Sequence, residues 1–168
     1  MKPPAHVYDN ANRLVQVNNS DGIVAEYTYD HTGKRIKKVK YTGGVITNVT
    51  YTIGDDFEVQ NYSGSTVDVT YYYAGSDLVA KNESGTMEYY HLDHLGGTHL
   101  VTDSSGNVDE NIRYYPFGTQ MKGGEEKYTY TGQESHYETG LLYYGARYYN
   151  PEVRRFTQPD SIIQNPYD

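Results

Sequence analysis

Apolar and polar residues alternate in short runs along most of this chain. The runs from Ile23 to Tyr29, Val45 to Tyr51, Val67 to Tyr73, Met87 to His91 and Val108 to Tyr115 are rich in Val, Ile, Thr and Tyr, the side chains that suit a pleated surface. Turn signals separate them at intervals of roughly 8 to 12 residues. They are Asn19-Ser20-Asp21-Gly22, Thr42-Gly43-Gly44, Ser63-Gly64-Ser65, Ala74-Gly75-Ser76, Glu83-Ser84-Gly85 and Ser104-Ser105-Gly106. No helix of ordinary length fits between them, so the pattern predicts an all-β chain, a meander of short antiparallel hairpins. Pro116 to Gly140, rich in Gly, Glu and Lys, reads as a longer connection. The dense run Leu141 to Tyr149 after it reads as strand that is buried on both faces or covers another sheet.

An internal repeat underlies the pattern. Tyr8-Asp9-Asn10-Ala11-Asn12-Arg13-Leu14 and Tyr29-Asp30-His31-Thr32-Gly33-Lys34-Arg35-Ile36 share a Tyr-Asp pair and a following basic residue. Their spacing of roughly 20 residues suits one strand-turn-strand unit of a repeat array. In each, the aspartate can accept backbone N–H groups two residues on, and Asn12 or Gly33 can take positive φ. Tyr8, Asp9, Tyr29, Asp30, Gly33 and Arg35 are therefore expected to set the repeat turns. Lys34, Arg35, Lys37, Lys38 and Lys40 alternate with Ile36 and Val39 and are expected to form the solvated face of one strand.

Composition changes this picture in two ways. The 168 residues amount to one domain, and with 21 tyrosines and few aliphatics, tyrosine must supply much of the core. The net charge of −8 argues against a nucleic-acid partner, which would require a basic face. With no cysteine, neither disulfides nor thiolate chemistry is available. No run is long and apolar enough to span a membrane, and Met1 to His6 contains no apolar stretch of the signal-peptide kind.

Candidate chemistry is sparse. His91, Asp93, His94 and His99 are crowded together, but a strand would point His94 away from His91 and Asp93, so a turn network around Leu95-Gly96-Gly97 is expected rather than a metal site. Asp55 with Asp56, and Glu125 with Glu126, lie beside glycines and read as solvated loop charges. Hydrolase and phosphate-loop motifs are missing, so no catalytic residue and no cofactor is expected.

From Tyr89 onward the chain resembles the Rhs/YD-repeat family, the shells of bacterial polymorphic toxins and of related toxin-complex subunits. The ordered motifs are Asp93-His94-Leu95-Gly96-Gly97-Thr98-His99-Leu100-Val101-Thr102-Asp103, Tyr115-Pro116-Phe117-Gly118, Tyr130-Thr131-Gly132-Gln133-Glu134, Thr139-Gly140-Leu141, Ala146-Arg147-Tyr148-Tyr149-Asn150-Pro151 and Arg155-Phe156, ending at Pro159-Asp160. The resemblance implies a single domain over 1–168, with YD-repeat hairpins at 1–88 and a core segment at 89–168, arranged as a curved or spiral sheet of hairpins. It also implies structural roles for Asp93, His94, Gly96, Asp103, Gly106, Gly118, Gly132, Gly140, Arg147, Tyr148, Tyr149, Pro151 and Phe156.

Asp160 aligns with the first aspartate of the family's self-cleavage pair. Ser161 replaces the proline that normally follows it, and the chain ends at Asp168 before a second motif. One carboxylate cannot form the shared-proton dyad, so self-cleavage is not expected. The implied function is a non-catalytic shell fragment without toxin cargo, of bacterial type and secreted or on the cell surface. Its expected contacts are self-association through open strand edges, or pairing with other shell segments of the same kind. Two other readings stay open, a self-assembling filament or oligomer subunit and a tyrosine-rich adhesion or glycan-binding module.

Overall fold

The computed structural model describes residues 5–159. Eleven strands run in chain order as one antiparallel sheet, each hydrogen-bonded to its sequence neighbours. They are β1 (Ala5–Tyr8), β2 (Leu14–Asn19), β3 (Gly22–Tyr29), β4 (Arg35–Thr42), β5 (Val45–Ile53), β6 (Phe57–Tyr62), β7 (Ser65–Ala74), β8 (Asp77–Glu83), β9 (Thr86–Leu92), β10 (Thr98–Asp103) and β11 (Val108–Asn111). The all-β meander expected from the alternation is present, and the sheet is open rather than a closed barrel. It continues without a break past residue 88, which lies inside β9. The presumed connection after Pro116 is more structured than expected. It contains β13 (Gln120–Lys122), paired with β12 (Arg113–Tyr114), then a 3-10 turn (Tyr130–Gly132) and β14 (Glu134–His136). Strands β15 (Leu141–Tyr143), β16 (Tyr148–Asn150) and β17 (Arg155–Phe156) complete a four-stranded sheet with β14.

Two kinds of turn recur between the strands, beside hairpins such as Gly75-Ser76 in which one loop residue has positive φ. Some hairpins close on two residues with positive φ, as at Ser63-Gly64 (44° and 99°) and Ser84-Gly85 (48° and 97°), which match the twist of the flanking strands. The second kind is a five-residue loop. Its first N–H donates to the fifth carbonyl, its fourth N–H donates back to the first carbonyl, and the fourth residue has positive φ. That loop recurs at 9–13, 30–34, 93–97, 103–107, 115–119 and 129–133. In the first four of these an aspartate leads, and its Oδ1 accepts the N–H of the third and fifth residues at 2.8–3.0 Å. These bonds favour the ionised carboxylate. Asp9 is lowered chiefly by the Arg13 N–H, Asp30 by the Thr32 hydroxyl and Asp103 by Asn107.

The C-terminal segment lies across one face of the large sheet. At one end Leu141 and Tyr148 pack with Leu14, Val17, Ala25 and Tyr27, flanked by Tyr8 and Tyr29. The repeat tyrosines thus contribute to the core beneath the loops that their neighbouring aspartates build. At the other end Tyr128 packs on Val69, Tyr71, Leu78, Tyr90 and Val101. Between the two apolar clusters the contact is ionic.

Candidate functional site

The ionic layer corrects the expectation for the basic run in β4. Arg35 is buried and Lys38 nearly so, whereas Ile36 is exposed. Ile36 is an extra residue in the pairing of β3 with β4, since Arg35 lies opposite Tyr29 and Lys37 opposite Thr28. This bulge rotates Arg35 onto the same face as Lys38 and Lys40, the face that β14 covers. The solvated-face reading fails because the partners are acidic groups about a hundred positions away, on the strap formed by residues 126–138.

Arg35 Nη2 contacts Glu134 Oε2 at 2.5 Å, and Lys38 lies 3.5 Å from Glu134 and 3.6 Å from Glu138. Lys40 reaches Glu138 at 3.4 Å. Farther along, Lys127 meets Glu58 at 2.5 Å and sits over the rings of Tyr71 and Tyr128. Lys81 bridges Glu88 at 2.9 Å and Glu126 at 3.3 Å, and Tyr90 donates to Glu126 at 2.7 Å. Glu126 is therefore a buried partner, not the solvated loop charge its glycine-flanked position suggested.

His136, with no exposed surface, sits at the centre of this layer. Its Nδ1 is 2.9 Å from the Tyr27 hydroxyl, and its Nε2 lies 2.8 Å from Arg35 Nη1 and 3.0 Å from Glu134 Oε1. A neutral ring accepts from the guanidinium with Nδ1–H turned to Tyr27, or donates to the carboxylate with Nδ1 accepting. Burial, reinforced by Lys38, lowers its pKa to about 4, so it is neutral near pH 7. For Glu134, burial alone would raise the carboxyl, but Arg35 and Lys127 hold it well below the usual carboxylate range. Glu138 is lowered as well, chiefly by Lys38 against the cost of burial. Asn48 Nδ2 and Glu138 Oε1 are buried without a hydrogen-bond partner. Both residues line a polar cavity of about 240 Å³ between the strap and the lysines, roomy enough for water.

The remaining singled-out residues have local roles. Asp93 and Gly96, and Asp103 and Gly106, belong to the aspartate loops, and His94 is exposed in the first of these. His91 pairs with the Thr102 hydroxyl and His99 with the Ile112 carbonyl. Among the described residues no three His, Cys, Asp or Glu side chains are grouped to hold a metal. Gly118 and Gly132 take the positive-φ position of loops that lack an aspartate. Gly140 (φ 70°) donates its N–H to the His136 carbonyl. Arg147 stacks on Phe156 at 4.1 Å, the Tyr149 hydroxyl donates to the Phe117 carbonyl, and Tyr148 and Pro151 are buried. Asp160 lies outside the described residues. Glu134 and His136 were not singled out as functional in the sequence. Their only signal was the Glu-x-His spacing, which puts both side chains on one face of a strand.

A model of the Teneurin YD-shell family matches residues 3–167. The chain belongs to this family. The Rhs/YD-repeat resemblance is thereby borne out. Among curated relatives, the tRNA(Glu)-specific nuclease WapA of Bacillus subtilis subsp. natto is 33% identical over 181 aligned positions, covering 96% of this chain and 8% of that protein. Salivary gland surface protein 1 of Aedes aegypti is 40% identical over 90 positions, covering 48% of this chain and 3% of its own length. The crystal structure of TcdB2-TccC3-Cdc42 superposes with a TM-score of 0.80 at 21% identity, over 94% of this chain and 9% of that one, a likeness of fold. This YD-shell chain thus spans less than a tenth of the relatives it matches.

Proposed function

We infer that this chain is a non-catalytic wall segment of a YD shell, placed outside the cell or at its surface and continued by other shell segments. The covered face of the sheet carries the reading. Its buried charges, Arg35, Lys38, Lys127, Glu58, Glu134 and Glu138, are engaged in ion pairs with one another. A general acid or base must instead present its titrating atom to a substrate. No helix among the described residues is long and apolar enough to cross a membrane.

Because a relative is named as a tRNA nuclease, the direct test is incubation of the purified chain with bulk tRNA, read on a gel. The RNA is expected to stay intact, as the net charge of −8 also disfavours a polyanion. Cleavage that co-elutes with the folded chain on gel filtration would overturn the non-catalytic reading.

The two edges of the sheet favour a second, narrower reading, association at β1. Strand β11 is blunted by its acidic residues, and Gly124 folds back to donate its N–H to Glu110 Oε2 at 2.7 Å. Strand β1 has β2 as its one partner among the described residues and exposes Val7. An open edge of this kind pairs with another strand. Light scattering across a concentration series is expected to show self-association, reduced by Val7→Pro, since proline removes a backbone donor. A monodisperse monomer at all concentrations would refute it.

A further inference from the structure

A cavity of about 670 Å³ opens at the end of the sheet where the loops 9–13 and 30–34 meet the strap. That volume is in the range of small-molecule sites. Four cations line it (Arg13, Lys34, Arg35 and Lys127) against two carboxylates, Asp55 and Glu134. Arg13 and Lys127 have their acidic partners, Asp9 and Glu58, outside this lining, so what the cleft presents depends on how firmly each cation is held.

The four cations are not equally engaged. Arg35 and Lys127 are tied into the buried layer by Glu134 and Glu58. Lys34, by contrast, pairs with Asp55, whose side chain is 93% exposed. An ion pair that open to solvent is weak and easily exchanged. Arg13 is pinned by Asp9 and stacked 5.0 Å above the Tyr29 ring, so its guanidinium is oriented before any ligand arrives. Arg35 adds a second observation. Its Nε is buried with no acceptor, a donor left unsatisfied in a residue that lines the cleft. Tyr29, Tyr128 and Tyr143 supply aromatic walls.

We propose that this cleft binds a small carboxylate-bearing ligand, with the anionic group held between Lys34 and Arg13 and the body of the ligand against the tyrosines. The two carboxylates in the lining favour a monoanion over a phosphate dianion, which they would repel. The carboxylate can come from an acidic sugar or from an acidic peptide, and these are separated by the choice of probe.

The test is calorimetric titration of the whole chain at low ionic strength with glucuronate, with the acetylated tripeptide Gly-Tyr-Glu and with inorganic phosphate. Saturable binding of one of the two carboxylate probes is expected, and which one binds identifies the source. Lys34→Glu should weaken that binding by about tenfold or more, and so should raising salt from about 0.02 to 0.2 M. Lys34→Glu leaves the loop backbone bonds to Asp30 in place, so its fold should persist. Lys122→Glu, an exposed site on β13, should bind as the wild type does. No saturable binding of either carboxylate probe, tighter binding of phosphate, or an unchanged affinity in Lys34→Glu would each overturn the proposal. The shell reading would survive all three outcomes, because it does not depend on this cleft.

Discussion

Replacing Arg35 with methionine is expected to destabilise the protein by about 3 kcal/mol, the scale for breaking one side of a buried ion pair. The cost comes from what is left behind. Glu134 would remain 8% exposed, with its guanidinium partner gone and Lys38 at 3.5 Å, Lys127 at 3.8 Å and the neutral His136 ring at 3.0 Å to compensate. His136 would lose a neighbour at 2.8 Å, and Tyr143 the cation stacked on its ring at 4.4 Å. The double variant Arg35→Met/Glu134→Leu should recover at least half of the loss, because removing both charges leaves neither one stranded. Urea unfolding at neutral pH measures all three proteins. A loss below about 1 kcal/mol for Arg35→Met would mean that water screens the pair as at a surface.

Acidification is expected to weaken the fold well before the carboxylates titrate. His136 has a folded-state pKa of about 4, against 6.5 for a free imidazole. Between those values the unfolded chain binds a proton that the folded chain refuses. Stability is therefore complete above pH 6.5 and declines as pH falls toward 4, by about 1.4 kcal/mol per unit and about 3 kcal/mol in all. His6, also lowered by burial, adds a contribution of the same sign. Glu88 is raised, by burial, and acts with the opposite sign close to the carboxylate range. Glu134 and Glu138 are held low, so their contributions are lost only below the ordinary carboxylate range. Unfolding free energies at pH 7, 6 and 5 should fall by about 2 kcal/mol for the wild type. His136→Gln, which keeps a donor and an acceptor without a titrating charge, should be much flatter over that interval. Parallel pH profiles for the two proteins would show that His136 takes up its proton in the folded state without penalty.

These effects arise from a layer that the covalent order of the chain does not display. The hairpin alternation, the Asp-led turns and the tyrosine core were all legible, because each depends on neighbours within a few residues. At Asp9 and Asp30 the Tyr-Asp pair signals the aspartate loop. The same loop at 115–119 and 129–133 has neither Tyr-Asp nor a leading aspartate, and only its hydrogen bonds reveal it. At those two sites Gly118 and Gly132 are the surviving local signal, as residues that accept positive φ without cost.

By itself, then, the sequence determined the hairpin strands of the large sheet, their order and the chemistry of the aspartate turns, but not the short strands after Pro116, since period-two alternation and Asp and Gly conformational preferences act over a few bonds. The tertiary structure alone decided which face of each strand is buried. A single bulge residue, Ile36, exchanges the faces of β4, and whether Arg35 and Lys38 meet water or carboxylates depends on the strap that returns about a hundred residues later. Electrostatic pairing acts through space, and no local pattern in β4 encodes where Glu134 and Glu138 will arrive.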